Sequence, residues 1–256
     1  MLIDTHAHLY LEQFNEDIDT VLENAIKMNV TKIFLPNIEK ETTSSMLALC
    51  DSYPDMCYPM IGLHPCSVSE SYEKELEHII DELSKRKYYG IGETGIDLYW
   101  DKSFKDEQIL CFERQIELAK QHDLPVIIHS RESLDLTIEL IAKHQDGSLK
   151  GIFHCFNGTV EQCKKVLDVN FMMGLGGVIT YKNAGLDEMV KFLPFENMVL
   201  ETDAPYLTPV PHRGKRNESA YVSLVASKVA EIKEVSLKEV IDITTINAAN
   251  LFGIEV

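Results

Sequence analysis

The sequence predicts an α/β protein that forms a closed (β/α)8 barrel, the TIM-barrel fold, as one domain over residues 1–256. Three observations predict this fold. Eight short strand-like runs alternate with amphipathic helical patterns, several of the runs are continuously apolar, and the connections are too short for a separate domain. Alternation of strand and helix is typical of a parallel sheet, and continuously apolar strands are typical of a sheet covered on both faces.

The strand-like runs lie near residues 2–6, 32–36, 57–63, 88–93, 125–129, 150–154, 170–175 and 198–202. Helical periodicity appears between them, with apolar residues at 112, 116 and 119 and a second amphipathic segment over 160–167. Two more helical patterns follow the last strand, near 217–231 and 236–252. An open, doubly wound sheet is the alternative. It is less favoured because no glycine-rich phosphate-binding motif follows any strand, and the glycines of 174–177 have the wrong spacing.

Composition limits the possible classes of protein. The chain has 45% apolar residues and a net charge of −17, from 24 basic and 41 acidic residues. A surface of this charge repels nucleic-acid backbones at long range and argues against a long groove that follows a duplex. It remains compatible with a phosphate-bearing substrate, because divalent ions make a site locally positive. No obligate protein partner is evident.

The location expected from the sequence is the cytoplasm. No run of 18 apolar residues is present, so a membrane span is not expected, and the first residues read as a strand rather than as a secretory leader. None of the six cysteines forms a C-x-x-C pair, which predicts reduced and mostly buried thiols.

Five strand-like runs end on residues that can bind a metal ion. In chain order, these residues are His6 and His8, Glu93, His129, His154 and Asp203. Because the carboxyl ends of barrel strands converge on one mouth, we expect all of these side chains to meet there. His6 and His8 are two residues apart, so both point to the same side of a strand.

This set of ligands predicts two divalent metal ions. Imidazole nitrogens and carboxylate oxygens together suit Mg²⁺, Mn²⁺, Zn²⁺, Co²⁺ or Ni²⁺ better than calcium or copper. We expect His6, His8 and Asp203 to bind the first ion, His129 and His154 the second, and Glu93 to bridge the two. Metal-activated water then acts as nucleophile, with Asp203 as its general base and Glu93 as the second catalytic carboxylate.

Other polar side chains lie close to these ligands in the sequence. Asp4 and Glu201, two residues before His6 and Asp203, share the inward face and are expected to orient ligand side chains or a basic group, or else to belong to a buried polar network. Asp97, after the Glu93 segment, is expected either to cap its loop or to contact the site, and the cap is favoured. Tyr99 and Trp100 follow the fourth strand, where aromatic rings either stack on a nucleobase or pack the loop. Lys215 and Arg216 either guide phosphate or are solvated.

The chain resembles the TatD family of metal-dependent deoxyribonucleases, within the amidohydrolase superfamily. The resemblance covers almost the whole chain. It depends on IDTHAH at 3–8, GLHP at 62–65, GIGETGID at 90–97, LPVIIHSR at 124–131, HCF at 154–156, LETDAPYL at 200–207 and PHRGKRNE at 211–218. The segments around Glu93 and over 213–218 make the resemblance specific to this family.

The resemblance implies a (β/α)8 barrel with a divalent-metal site. It also implies hydrolysis of phosphodiester bonds in DNA, at ends or in short single strands and from the 3′ end. It also implies that His64 contacts the substrate, and the planar guanidinium groups of Arg131 and Arg213 are expected to bind phosphate. The chain departs from the family pattern at Cys66 and Ser219, where many relatives have His and Pro. Neither position is a predicted ligand, so these departures concern substrate preference.

Two other functions are compatible with parts of the sequence. A hydrolase of amides, esters or lactones would use the same metals, and the charge of −17 favours it because a broad basic surface is absent. A bridging carbamylated lysine would support that alternative, but Glu93 occupies the bridging position. A non-catalytic metal-binding protein is disfavoured because every predicted ligand is present.

Overall fold

Eight parallel strands and nine helices build the protein, and the computed structural model describes all 256 residues. The strands are β1 (Leu2–Asp4), β2 (Val30–Pro36), β3 (Cys57–Met60), β4 (Ile91–Asp97), β5 (Val126–Arg131), β6 (Gly151–Phe153), β7 (Met172–Leu175) and β8 (Met198–Leu200). The helices are α1 (Ile18–Lys27), α2 (Lys40–Ser52), α3 (Tyr72–Lys85), α4 (Lys105–His122), α5 (Leu134–His144), α6 (Val160–Asp168), α7 (Asp187–Phe192), α8 (Val222–Lys233) and α9 (Leu237–Phe252).

The strands close into a ring in chain order. Regular pairing joins β1 to β3 and β4 to β8 as two parallel ladders. One seam between the ladders is closed by a parallel bridge between Ile61 and Ile91, and the other by a bridge between Ala7 and Ala204. At the second seam the His8 amide donates to the Ala204 carbonyl at 2.7 Å. The predicted (β/α)8 barrel is therefore confirmed.

Apolar side chains fill the end of the barrel that lies away from the ligand residues. Ile3, Phe34, Ile127, Ile152 and Val199 form a buried cluster with the last turns of α9. Within that cluster the rings of Phe34 and Phe252 stack with centroids 3.7 Å apart. Helix α9 thus covers one end of the barrel and leaves the other end for polar side chains. None of the helices has the length and apolar character needed to cross a membrane.

Strand β4 differs from its prediction, because it continues to Asp97 instead of ending at Glu93. The segment from Thr94 to Asp97 contains a glycine and an aspartate, residues that are rare in strands, so its sequence gives little sign of the pairing with β5. The register against β5 shifts between Ile91 and Thr94, as in a β-bulge. Such bulges re-aim side chains beside functional sites, and this one lies at Glu93.

The segment before α8 also differs from its prediction. The expected helix near 217–231 begins only at Val222, after a short 3-10 turn. Asn217 is buried, and its side-chain amide donates to the carbonyls of Thr202 and Tyr206 at 2.7 and 2.6 Å. These two hydrogen bonds hold the segment against the end of β8, which prevents it from joining the helix.

Candidate metal centre and active site

The predicted ligands lie together at the carboxyl ends of the strands. His6 and His8 follow β1, Glu93 is the third residue of β4, His129 lies within β5, His154 follows β6, and Asp203 follows β8. The His6 and His154 rings stack with centroids 3.7 Å apart, although the two residues are far apart in the chain. One compact cluster therefore contains all six side chains.

A first set of donor atoms consists of His6 Nε2, His8 Nε2, Glu93 Oε2 and Asp203 Oδ1. Glu93 Oε2 lies 3.1 Å from His6 Nε2 and 3.3 Å from His8 Nε2, and the two nitrogens are 3.2 Å apart. Asp203 Oδ1 lies 3.7 Å from each nitrogen. Ligands about 2.0–2.1 Å from a tetrahedral metal ion are separated by about 3.3–3.4 Å, so this set has the right size for one ion.

A second set surrounds the other oxygen of the same carboxylate. Glu93 Oε1 lies 2.9 Å from His129 Nδ1 and 3.4 Å from His154 Nε2. His64 Nε2, which sequence reasoning assigned to substrate, lies 3.5 Å from the same oxygen and groups with Glu93 and His129. The two oxygens of Glu93 thus face different donors. His154 also lies close enough to His6 to form a group with His6 and Glu93, so the two sets adjoin.

Hydrogen bonds fix the ring orientation of His8 and His154. His8 Nδ1 lies 3.0 Å from the Tyr10 hydroxyl, which itself donates to the Pro36 carbonyl at 2.6 Å. The hydroxyl thus accepts from His8 and leaves Nε2 free for a metal ion. Glu201 Oε1 lies 3.0 Å from His154 Nδ1 and has the same effect on that ring. Sequence reasoning missed Tyr10, whose signal is its position two residues after His8.

Glu201 and Asp4 orient the site in different ways. Glu201 is fully buried, and a Cβ at Gly174 would lie 2.2 Å from its Oε2, so the glycine there makes room for the carboxylate. Asp4 does not contact a ligand ring. It accepts hydrogen bonds from the amides of His6 and Thr202 at 3.3 and 2.9 Å. Asp4 thereby joins the backbone that carries His6 to the backbone that carries Asp203.

Asp97 contributes more than the loop cap that the sequence predicted. Its Oδ1 accepts from the amides of Tyr99 and Trp100 at 2.9 and 3.1 Å, which is the expected cap. Its Oδ2 lies 2.9 Å from His129 Nε2, opposite the nitrogen that faces Glu93. The same carboxylate therefore fixes the loop and the His129 ring. The extension of β4 by four residues beyond Glu93 brings Asp97 to this position, so the contact with the site is made in addition to the cap.

The electrostatics of the cluster differ from ligand to ligand. Burial lowers the pKa of His154, but the nearby Glu201 and Glu93 carboxylates raise it to about 10, so that ring must lose a proton when a metal ion binds. Burial alone would raise the pKa of Glu93, but the surrounding histidines hold it well below its ordinary value. Burial, together with the nearby His154, lowers the pKa of His6 to about 4. At neutral pH Glu93 is thus ionised and His6 is neutral, the forms that bind metal ions. Burial raises the pKa of Asp203 to about 6 against the attraction of His154 and His8.

A cavity of about 790 Å³ opens above the cluster. His8, His64, Glu93, His129, His154 and Asp203 line it, and Arg131 lies on its wall. The Arg131 guanidinium stacks 3.9 Å from the centroid of the Tyr99 ring. The cavity thus places an arginine beside the donor sets.

The other predicted basic contacts lie elsewhere. Arg213 is exposed, is not part of the cavity wall, and stacks over the Tyr181 ring at 4.3 Å. Arg216 forms a two-pronged ion pair with Asp17 at 2.8 and 2.7 Å, so its guanidinium is already occupied. Both arginines belong to the irregular segment 205–217. The course of this segment determines where they lie, and the spacing of residues in the sequence does not predict that course.

Comparison with known proteins identifies the family. A family model described as "TatD related DNase" matches residues 3–253. The "uncharacterized metal-dependent hydrolase YabD" of Bacillus subtilis is 40% identical over 99% of this chain and 100% of its own length. The crystal structure of YjjV, a TatD homologue from Escherichia coli, has a TM-score of 0.93 and 30% identity over 99% of this chain and 98% of its own.

The family match spans nearly the whole chain, and the matched region contains every residue of the two donor sets. Full-length relatives of this similarity carry the name of metal-dependent hydrolases. The chain belongs to the TatD family and is a metal-dependent hydrolase.

Proposed function

We propose that the protein hydrolyses phosphodiester bonds of DNA, removing nucleotides from the 3′ side of ends or short single strands. The observation that carries the proposal is the position of Glu93, whose two oxygens face two donor sets on the floor of one cavity. Pairs of metal ions held this way are a recurrent feature of nucleases and phosphatases. The family model's description as a DNase agrees with this substrate.

The chain offers a distinct ligand set for each of two ions. His6, His8, Glu93 Oε2 and Asp203 would hold one, and Glu93 Oε1, His129 and His154 the other. Divalent ions supply positive charge for a phosphate and lower the pKa of water to about 7. Mg²⁺, Mn²⁺, Zn²⁺, Co²⁺ and Ni²⁺ all suit nitrogen and oxygen ligands of this kind.

The protein's own residues then position the substrate and move the proton. Asp203 lines the cavity and accepts the proton of the attacking water as general base. Arg131 donates to a non-bridging phosphate oxygen from the cavity wall. His64 reaches the cavity from the side of the second donor set and contacts the substrate near Glu93.

The size of the cavity supports a strand end rather than a duplex interior. A volume of about 790 Å³ lies within the range of small-ligand pockets, about 300–1,000 Å³, and accommodates little more than the last nucleotides of a strand. The net charge of −17 disfavours contact with a long duplex outside the cavity. Both features favour cleavage at a terminus.

A labelled oligonucleotide tests the proposal. A single strand carrying a 5′ label is incubated with the metal-free protein and each candidate ion, and the expected product is a ladder that shortens from the 3′ end. Asp203→Asn should abolish the ladder, whereas the exposed Asp55→Asn, which makes the same chemical change far from the cavity, should leave it intact. Cleavage that is insensitive to a chelator, or absent with every ion, would contradict the proposal.

Hydrolysis of amides, esters or lactones is the second candidate, favoured by the acidic surface. A panel of lactones, aryl esters and amides should be assayed with the same metal-loaded protein. A kcat/KM for any of these that exceeds the value for DNA would assign the site to that chemistry.

A further inference from the structure

Two exposed aromatic side chains stand at the mouth of the cavity. Trp100 is 70% exposed and Tyr206 is 49% exposed, and both line the cavity above the donor sets. Large aromatic side chains are normally mostly buried, so their exposure beside a polar site marks a binding surface.

The two rings lie on opposite sides of the mouth. Trp100 follows β4 and Tyr206 follows β8. Because the eight strands close in chain order, β4 and β8 are four strands apart, which is half of the ring. A chain that crosses the mouth over Glu93 therefore passes one aromatic side chain on each side of the metal centre.

The backbone at Trp100 is tied to one of the predicted metal ligands. Its backbone amide donates to Asp97 Oδ1 at 3.1 Å, and the other oxygen of Asp97 lies 2.9 Å from His129 Nε2. One carboxylate thus links the aromatic loop to the second donor set.

Arg131 adds an uncompensated positive charge beside Trp100. Its guanidinium lies 5.4 Å from the Trp100 ring centroid and 3.9 Å from that of Tyr99. Arg86, Arg114 and Arg216 form ion pairs with carboxylates, whereas Arg131 forms none. An aromatic face with a free guanidinium next to it matches the base and the phosphate of one nucleotide.

We propose that Trp100 and Tyr206 stack on unpaired bases on either side of the scissile bond, with Arg131 on the neighbouring phosphate, and so select single-stranded ends. The inference rests on the proposed function and deepens it. Within a duplex, neighbouring base pairs cover both faces of every base except at the last pair. Stacking on both sides of the scissile bond therefore requires unpaired bases.

Equilibrium binding tests the inference without turnover. Trp100 is the only tryptophan, so its fluorescence reports directly on stacking. The metal-loaded Asp203→Asn protein is titrated with a deoxyadenosine oligomer and with an abasic oligomer of the same length and charge. The base-bearing oligomer should quench the fluorescence, and the abasic one should not. Equal quenching by both, or no quenching by either, overturns the proposal.

Kinetics provide a second test. Stacking energies predict that Trp100→Ala raises the KM for a single strand by roughly five- to 150-fold, with a smaller change in kcat. Tyr206→Ala should act in the same direction, and Trp100→Phe should retain most of the affinity. Phe192→Ala, which removes an exposed ring far from the mouth, is the matched control and should leave KM unchanged. An unchanged KM in Trp100→Ala overturns the proposal.

The two proposals fail in different ways. DNA cleavage that persists in Trp100→Ala at the original KM contradicts stacking and leaves the nuclease function intact. No cleavage with any ion contradicts the nuclease function, and the fluorescence titration then decides on stacking independently.

Discussion

The two donor sets of the metal centre differ in how they are held and in how accessible they are. His6 and His8 have side chains that are 0% and 4% exposed, and they lie at the seam where the first and last strands meet. In the second set His129 is 16% exposed, as is the neighbouring His64, whereas His154 is 5% exposed; Asp203 of the first set is 13% exposed. Backbone closure at the seam thus buries the two histidines of the first set, called here the deep set, whereas His129 makes the second set the more accessible one.

Glu93 contributes one oxygen to each donor set, so its removal should weaken metal binding at both sets. We expect Glu93→Ala to lose both ions and to lower the cleavage rate by about 10⁴-fold or more, since the charge of both ions is lost together with their bridge. Elemental analysis of the purified variant measures the number of ions per chain, and the oligonucleotide assay measures the cleavage rate. Retention of both ions with measurable turnover would contradict the bridging role.

Asp203 belongs to the deep set but also faces the cavity. Its replacement therefore separates metal binding at the second set from proton transfer to Asp203. We expect Asp203→Asn to lower kcat by about 10²- to 10⁴-fold while the ion at the accessible set remains bound. Single-turnover assays at saturating metal measure the loss. Full activity would show that another group accepts the proton.

The hydrogen-bond partners of the ligand histidines allow each set to be weakened alone. Asp97→Asn should reduce the metal affinity of the accessible set, and Tyr10→Phe that of the deep set, each by about 10- to 100-fold. The reason is that Asp97 fixes the His129 ring and Tyr10 fixes the His8 ring. Competition with a chromogenic chelator measures both affinities. Equal weakening of both sets in either variant would contradict their independence.

The smallest expected effect concerns the packing of Glu201, which orients His154. Gly174→Ala places a Cβ 2.2 Å from Glu201 Oε2 and should destabilise the protein by about 1–3 kcal/mol. Urea unfolding measures the change. Gly176→Ala is the matched control, because its Cβ would meet nothing closer than 3.7 Å. Equal stability of the two variants would show that Glu201 has room to move.

The barrel was predictable because its signals are local and repeated. Strand and helix alternate along the whole chain, and convergence of strand ends at one mouth follows from the fold. The meeting of His6, Glu93 and Asp203 is a consequence of that geometry. Their roles as ligands and base remain predictions.

The depth of each side chain was not predictable, since it depends on pairing register and loop path. His64 was expected to meet only substrate, yet it lies 3.5 Å from Glu93 Oε1. For Asp97 the cap was favoured over a contact with the site, yet the extension of β4 allows the same carboxylate to do both. Arg213 was expected at the phosphate, whereas its loop carries it to Tyr181.

Anomalous scattering from crystals soaked with Mn²⁺ and a mononucleotide tests the central claim most directly. Two peaks are predicted, one among His6, His8 and Asp203 and one beside His129 and His154, with Glu93 between them. A single peak, or a carboxylate of Glu93 turned away from both positions, would contradict the account.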